Sequence, residues 1–316
     1  MIPDAASSRA TLPPTATPRW AAPSTFADSL ADAAFMAGGA LYPIDQIVRA
    51  EPAWAGAWRQ RLALRCATAA VRLAGRREDE AALRDAWLLR KPGDDPGPSG
   101  HILSAWKRLA TRSTALDADV LETVAGLMSI RWDKSLAGLA AAFDELDPGG
   151  PAPPFSAAAI IAKACEIRID AEALGWWAAD MLLAQKLRWR VPVPLLMGQR
   201  FSTVFRAESG QGRIRPGEAG FERAVCLALV HAAAEASRLA ADLARRAERL
   251  AAVTPKLRSK AAGDVIGLLL SEDAVSGSLQ TKSLSRFASR RLFERLQQLE
   301  AVRELSGRTT FRIYGL

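Results

Sequence analysis

Basic side chains gather in the last 35 residues of the chain, in a pattern that indicates contact with a polyanion. Between residues 282 and 316 there are eight Lys or Arg side chains and three Glu, which gives a net charge of +5. Guanidinium groups bind phosphate oxygens and the edges of guanine bases, so the cluster predicts a double-stranded DNA partner. The predicted contact residues are Lys282, Arg286, Arg290, Arg291, Arg308 and Arg312.

The apolar residues of this segment predict the element that carries most of the basic ones. Leucine and alanine recur every three or four positions, which is typical of one buried helix face. The stripe comprises Leu284, Ala288, Leu292, Leu296 and Leu299. We therefore predict a basic helix from residue 284 to residue 300, with Ser283 as its N-terminal cap.

Two short strands are predicted after this helix, with a tight turn at Ser306-Gly307 and apolar and polar residues alternating from Phe311 to Tyr314. Two helices, a basic helix and a two-stranded wing follow one another in a winged helix-turn-helix, whose basic helix enters the major groove. In that arrangement the helix arginines contact bases or phosphates, and the wing arginines contact the backbone. A winged helix that only packs or dimerises would show the same pattern, so both interpretations stay open.

A second set of residues could bind a metal ion. Glu166 and Asp170 are predicted on one long helix, and His231 and Glu235 lie four residues apart on another, so that each pair shares a helix face. Facing helices with carboxylates and a histidine can build a metal site in a bundle. However, the chain lacks the paired Glu-x-x-His motif of di-metal bundles, and neighbouring arginines can pair with the acids. We therefore favour a structural ion-pair network and predict no metal and no cofactor.

The motifs of several common enzyme classes do not occur in the sequence. There is no GxxxxGK[ST] phosphate loop, no GxGxxG after a strand and no GxSxG nucleophile elbow, and the chain has only two histidines. The three cysteines lie far apart, without the short-spaced pairs of a zinc finger, and we interpret them as buried, reduced thiols. The sequence therefore favours a non-enzymatic protein.

The composition is typical of a helical globular protein. Of the 316 residues 49% are hydrophobic, which is enough for a large core, and the helix-favouring Ala, Leu and Arg are abundant. The net charge of +8 favours a polyanionic partner, although the preference for Arg over Lys also fits the codon usage of a GC-rich genome. No stretch of about 18 apolar residues is free of charge, so we expect no membrane partner and a cytoplasmic location.

Two loops rich in proline and glycine divide the chain. They are PGDDPGPSG and DPGGPAPPF, and the second is the best candidate for a domain boundary. We predict a disordered N-terminal arm (1–23), a helical domain (24–147), a long-helix bundle (155–255) and a winged-helix-like module (256–316). The predicted fold class is all-α, a multi-helix bundle with a small C-terminal winged-helix-like module that ends in a β-hairpin.

Helix boundaries follow from the same signals. The first helix is predicted over residues 24–38, ending at a pair of glycines, and Pro43 is predicted to open a short second helix. A long apolar helix is predicted over residues 156–188, and a very long helix over residues 221–253.

Four stretches together resemble a known family. They are the ending SRRLFERLQQLEAVRELSGRTTFRIYGL, the run WAGAWRQRLALRCATAAVRLAGRREDEAALRDA, the loop DPGPSG and the segment RWRVPVPLL. As a set they are similar to a bacterial family called domain of unknown function 1403, known mainly from alphaproteobacteria, over nearly the whole chain after the N-terminal arm. The resemblance implies no catalytic role for any residue.

The ending also resembles winged-helix proteins in general, in which a glycine commonly closes the basic helix. This chain has Glu300 at that position. A residue with a Cβ in a left-handed helix cap costs about 1 kcal/mol, so we expect the helix end to be closed differently here.

These observations favour a DNA-binding or regulatory protein that acts through the C-terminal module. The first alternative is a helical protein–protein interaction scaffold or an obligate oligomer, which abundant amphipathic helix and nine tryptophans indicate. The second is an enzyme or metalloprotein with carboxylates and a histidine on facing helices. The first hypothesis requires the C-terminal arginines to converge on one exposed face.

Overall fold

The computed structural model describes residues 17–23, 27–91, 93–147, 149–207, 212–257, 262–308 and 310–316. Over these ranges the chain forms eleven α-helices and one small three-stranded sheet near residue 316, so the prediction of an all-α bundle ending in a β-hairpin is confirmed. Most of the predicted N-terminal arm lies outside the described residues.

The helices are α1 (Leu30–Ala50), α2 (Ala55–Leu73), α3 (Glu80–Leu89), α4 (Gly97–Leu109), α5 (Ala118–Leu127), α6 (Lys134–Leu146), α7 (Pro153–Ile167), α8 (Glu172–Lys186), α9 (Phe221–Val253), α10 (Ala262–Ser271) and α11 (Arg286–Gln298). The strands are β1 (Val275–Ser276), β2 (Arg303–Glu304) and β3 (Ile313–Gly315), and both β1 and β2 pair antiparallel with β3.

One continuous hydrophobic core runs through the bundle. Helix α9 packs along α1 and α7, α8 packs along α7, and α2 packs on α4 and α9. Three fully buried tryptophans satisfy their indole N–H groups inside this core: Trp58 donates to the Ala236 carbonyl (2.9 Å), Trp177 to the Ala105 carbonyl (3.1 Å) and Trp176 to a carboxylate oxygen of Glu172 (3.1 Å). Helices on both sides of the predicted boundary at 147–155 share this core, and the division into folding domains stays a prediction.

Helix α9 is the only described helix that is long and apolar enough to cross a membrane by length and composition. Most of its apolar stretch is buried inside the bundle. The prediction of a very long helix over residues 221–253 is confirmed.

The first helix differs from its prediction because a tertiary contact uses the glycines. α1 continues through Gly38, Gly39 and Pro43 without a break. A Cβ on Gly39 would lie 2.2 Å from the Trp20 ring, so this glycine allows a close approach and does not end the helix. Ser29, whose hydroxyl accepts from the backbone N–H of Asp32, caps the helix at its start.

The long helix predicted over residues 156–188 is wrong, because the chain breaks at Arg168 and returns as α8. The Arg168 guanidinium binds Asp170 and Asp133, which holds the connection in place. Gly175 then lets the two helices approach closely, since a Cβ there would lie 2.8 Å from the Ala164 side chain. No local sequence pattern predicts such a close approach of two helix backbones.

The C-terminal elements are shorter than predicted. Ser285, not Ser283, caps α11, because its hydroxyl accepts from the Ala288 backbone N–H. The tight turn at Ser306-Gly307 is also wrong, since β2 ends at Glu304 and β3 begins only at Ile313. Phe311, between these two strands, has φ 55° and is exposed, so the predicted alternation along the second strand begins only at the buried Ile313.

Helix α11 ends in the left-handed conformation that glycine prefers, although the residue there is glutamate. Glu300 has φ 54°, and the two backbone N–H groups that follow the helix donate to carbonyls of its last turn: Glu300 to Gln297 (2.9 Å) and Ala301 to Leu296 (2.9 Å). The expectation that this end is closed differently is therefore wrong. The hydrogen bonds of the cap compensate for the conformational cost of the Cβ.

We predict that Glu300→Gly stabilises the protein by about 0.5–1 kcal/mol, because glycine adopts positive φ without a Cβ clash. Chemical denaturation measures the change. The exposed contact of Glu300 with Arg249 (3.9 Å) contributes little. Glu300→Ala removes the same charge while keeping the Cβ, so it serves as the matched control and should give no gain. A Glu300→Gly protein that is less stable than the parent would contradict the prediction.

Candidate nucleic-acid interface

The outward face of α11 carries the arginines that the sequence singled out. The buried face of the helix consists of Ser289, Leu292, Phe293 and Leu296. Arg286 and Arg290 lie one turn apart on an exposed flank of the helix beside this buried face, and together with Arg312, just before β3, they line one surface pocket of about 230 Å³. Helix α11 and the residues just before β3 thus place three guanidinium groups at the same exposed pocket.

None of these three arginines makes an ion pair with a carboxylate of the described residues. Among the described residues that line this pocket, Glu294 is the only acidic one. The Tyr314 hydroxyl beside Arg312 raises the pKa of that arginine, which favours its charged form. The described residues that line the pocket thus carry three positive charges and one negative charge at neutral pH.

Two aromatic rings are exposed beside the arginines. Phe287 on α11 is 74% exposed and Phe311 in the loop is 59% exposed, although large apolar side chains usually avoid water. Phe311 lines the pocket with the arginines. Exposed aromatic rings among cations are typical of surfaces on which unpaired bases of a nucleic acid stack.

The remaining predicted contact residues lie elsewhere on the module. Lys282 and Arg291 are exposed, but neither lines the pocket. Arg308 is directed toward the helical bundle, where its guanidinium pairs with Asp85 of α3. The structure thus brings together three of the six predicted residues, and it uses Arg308 to fix the loop to the bundle.

A ring stack holds α11 on the small sheet. Phe293 of α11 and Tyr314 of β3 stack with ring centroids 4.7 Å apart and an interplanar angle of 10°.

The sheet order is β1-β3-β2, with α11 between β1 and β2 in the chain. Residues 277–285, where a helix-turn-helix would have a helix before the basic one, form turns instead. The two helices predicted ahead of the basic helix are present as α9 and α10, and β1 and these turns separate α10 from α11.

A buried carboxylate anchors this module to the bundle. Asp273, just before β1, binds Arg61 of α2 (Nε to Oδ1 2.9 Å) and Arg84 of α3 (Nε to Oδ2 2.5 Å). Arg61 also donates to the Asp273 carbonyl (2.8 Å) and to the Leu316 carbonyl (3.3 Å). Burial disfavours the charged carboxyl, but Arg61 and Arg84 outweigh it and hold the pKa of Asp273 below its usual range.

The candidate metal residues do not form a site. Glu166 pairs with Lys163, and Asp170 pairs with Arg168. Glu235 accepts from the side chain of Gln199 (3.0 Å). Among the residues that the structure describes, no three or more His, Cys, Asp or Glu side chains are grouped to hold a metal ion.

Sequence reasoning also missed the role of Asp180, a fully buried residue of α8. Its two oxygens accept from the backbone N–H groups of Leu195 (2.9 Å) and Leu196 (3.2 Å), and burial raises its pKa to about 8. The carboxyl group thus fixes the irregular 194–201 segment against α8. The only local signal was an acidic residue inside an otherwise apolar run, ALGWWAADMLLAQ.

Comparison with known proteins supports the resemblance noted from the sequence. A family model described as "Protein of unknown function (DUF1403)" matches residues 4–316, which is nearly the whole chain. No curated protein matches the chain.

We predict that Asp273→Asn lowers the free energy of unfolding by about 3 kcal/mol at pH 7, because it leaves two buried guanidiniums without their counter-charge. The folded pKa of Asp273 lies below the unfolded value. The stabilisation by its charge is therefore complete above the unfolded pKa of about 4, and it is lost as pH falls through the folded pKa. The difference between the two proteins should accordingly shrink in acid.

Chemical denaturation at several pH values measures this effect. Asp144→Asn, at an exposed position on α6, is the matched control and should change stability by less than about 0.5 kcal/mol. An Asp273→Asn protein as stable as the control at pH 7, or a difference that grows in acid, would show that the carboxylate is not the anchor.

Proposed function

The chain belongs to the DUF1403 family of proteins of unknown function, and we propose that it is a DNA-binding or regulatory protein that contacts duplex DNA through its C-terminal surface. The proposed contact surface consists of Arg286, Arg290 and Arg312 with the exposed rings of Phe287 and Phe311. In this proposal the protein acts by binding and not by catalysis, and it acts in the cytoplasm.

The convergence of three guanidiniums without carboxylate partners carries the proposal. Arg286 and Arg290, which pair with no carboxylate of the described residues, keep their N–H donors available to a phosphate or a guanine edge, whereas the Arg312 guanidinium is also hydrogen-bonded to Tyr314. Scattered surface arginines do not indicate a partner in a chain this rich in Arg. Three arginines from two different elements that line the same pocket are better explained by a common anionic ligand.

The elements around the pocket suit a duplex. An α-helix with an exposed basic face fits the width of the major groove, and a loop beside it reaches the neighbouring backbone. We propose that α11 is the groove helix and that the 305–312 loop takes the place of a wing. The β1-β3-β2 sheet supports this winged-helix-like interpretation, and Lys282 and Arg291 would reach phosphates at the edges of the contact.

The proposal predicts a specific change in salt dependence. Phosphate contacts make the logarithm of the binding constant fall with the logarithm of the salt concentration, by about 0.9 for each phosphate neutralised. Replacing Arg286 and Arg290 together by Ala should therefore reduce that slope by about 2 and weaken binding at low salt by at least about tenfold. Fluorescence anisotropy of a labelled duplex over about 50–200 mM salt measures both quantities.

The matched control is the double variant Arg190→Ala plus Arg215→Ala. It removes the same charge from exposed positions away from the C-terminal surface and should leave both affinity and slope nearly unchanged. The proposal fails if the parent protein does not bind duplex DNA at low salt, or if both double variants weaken binding equally. Self-association or a protein partner for the same module stays a prediction.

A further inference from the structure

A large cleft lies in the helical bundle, apart from the pocket at α11. It has a volume of about 1120 Å³ and is lined by α2, the turn before α3, the 194–201 segment and α9, with Arg303 of β2 at one end. Ligand sites in proteins usually measure about 300–1,000 Å³. The cleft is thus large enough for a molecule of nucleotide size.

Guanidinium groups outnumber carboxylates along this cleft. Seven arginines line it, namely Arg61, Arg65, Arg72, Arg76, Arg77, Arg238 and Arg303. The lining has five acidic residues. Glu78 accepts from the Ser99 hydroxyl, Asp79 caps α3, and Asp242 pairs with Arg245 and Arg246 and lies 3.8 Å from the cleft arginine Arg303.

The other two acids approach a single arginine. Glu80 and Glu235 each lie 3.9 Å from the guanidinium of Arg65, so the cleft lining keeps two more arginines than carboxylates. The lining arginines that make no ion pair with any described residue are Arg72, Arg76, Arg77 and Arg238. Self-repulsion among four such charges favours an anion between them.

The best-positioned of these arginines is Arg72. Its guanidinium lies over the Phe201 ring, with its central carbon 4.2 Å from the ring centroid. Phe201 is fixed in turn, because Arg213 donates to the Phe201 carbonyl (2.6 Å) and to the Ser202 carbonyl (2.9 Å). A cation held against a ring face keeps its N–H edge free for a ligand.

We propose that this arginine cleft binds a phosphorylated small molecule. Planar guanidinium groups match phosphate oxygens in bidentate geometry, and four unpaired cations match a ligand with several negative charges better than a monocarboxylate. Apolar side chains on the same walls, including Leu62, Ala69 and Leu239, would contact the uncharged part of an organic phosphate. The cleft is a second site, independent of the DNA proposal.

Calorimetric titration of the full chain with ATP, pyrophosphate and citrate tests the proposal. We expect ATP or pyrophosphate to bind with a dissociation constant below about 1 mM, and citrate to bind at least about tenfold more weakly. Tighter binding of ATP than of pyrophosphate assigns the cleft to a nucleotide, and the reverse order assigns it to the phosphate groups alone. No measurable binding of either phosphate probe, or citrate binding as tightly as both, overturns the proposal.

Two variants locate the site. Arg72→Gln plus Arg238→Gln replaces exposed helix residues with good helix formers and should weaken binding by at least about tenfold. Arg76→Gln plus Arg77→Gln lies in the turn before α3 and keeps the helices intact. This variant should also bind the phosphate probes more weakly than the parent protein. Arg190→Gln plus Arg215→Gln is the matched control and should bind normally. Equal binding by all three variants overturns the assignment, as does a loss of duplex DNA affinity in the Arg72/Arg238 variant as large as in the Arg286/Arg290 variant.

Discussion

The buried carboxylate of Asp273 connects three parts of the chain that are far apart in sequence. It receives the guanidinium groups of Arg61 and Arg84 from two helices of the bundle, and its own position just before β1 belongs to the small sheet. A buried charge is tolerated only when its hydrogen bonds are satisfied, so the three residues require one another. The position of α11 and its arginines on the bundle depends on this contact.

The same anchor lies between the two candidate sites. Arg61, which binds Asp273, also lines the arginine cleft, and Arg303 extends from β2 to the end of that cleft. The small sheet therefore contributes Arg303 to the cleft. It also contacts α11 through the Phe293–Tyr314 stack.

The sequence predicted the features that depend on local periodicity. The apolar stripe of α11 and its arginine pair follow from helical spacing, and the burial of Leu292 and Leu296 agrees with it. What it could not predict depends on contacts distant in sequence. Gly39 is packed against Trp20, and Arg308 is directed away from the other arginines because Asp85 lies across from it. The cleft is assembled from five separate segments, so no local pattern indicates it.

Hydrogen–deuterium exchange of the full chain with and without duplex DNA tests the central claim most directly. If the C-terminal surface is the interface, added protection falls on α11 and the 305–312 loop, while α7 and α8 exchange as in the free protein. The same experiment on the Arg286→Ala plus Arg290→Ala protein should show no added protection. Protection that falls on α2 and α9, or that is absent from α11 at a saturating duplex concentration, would contradict the account.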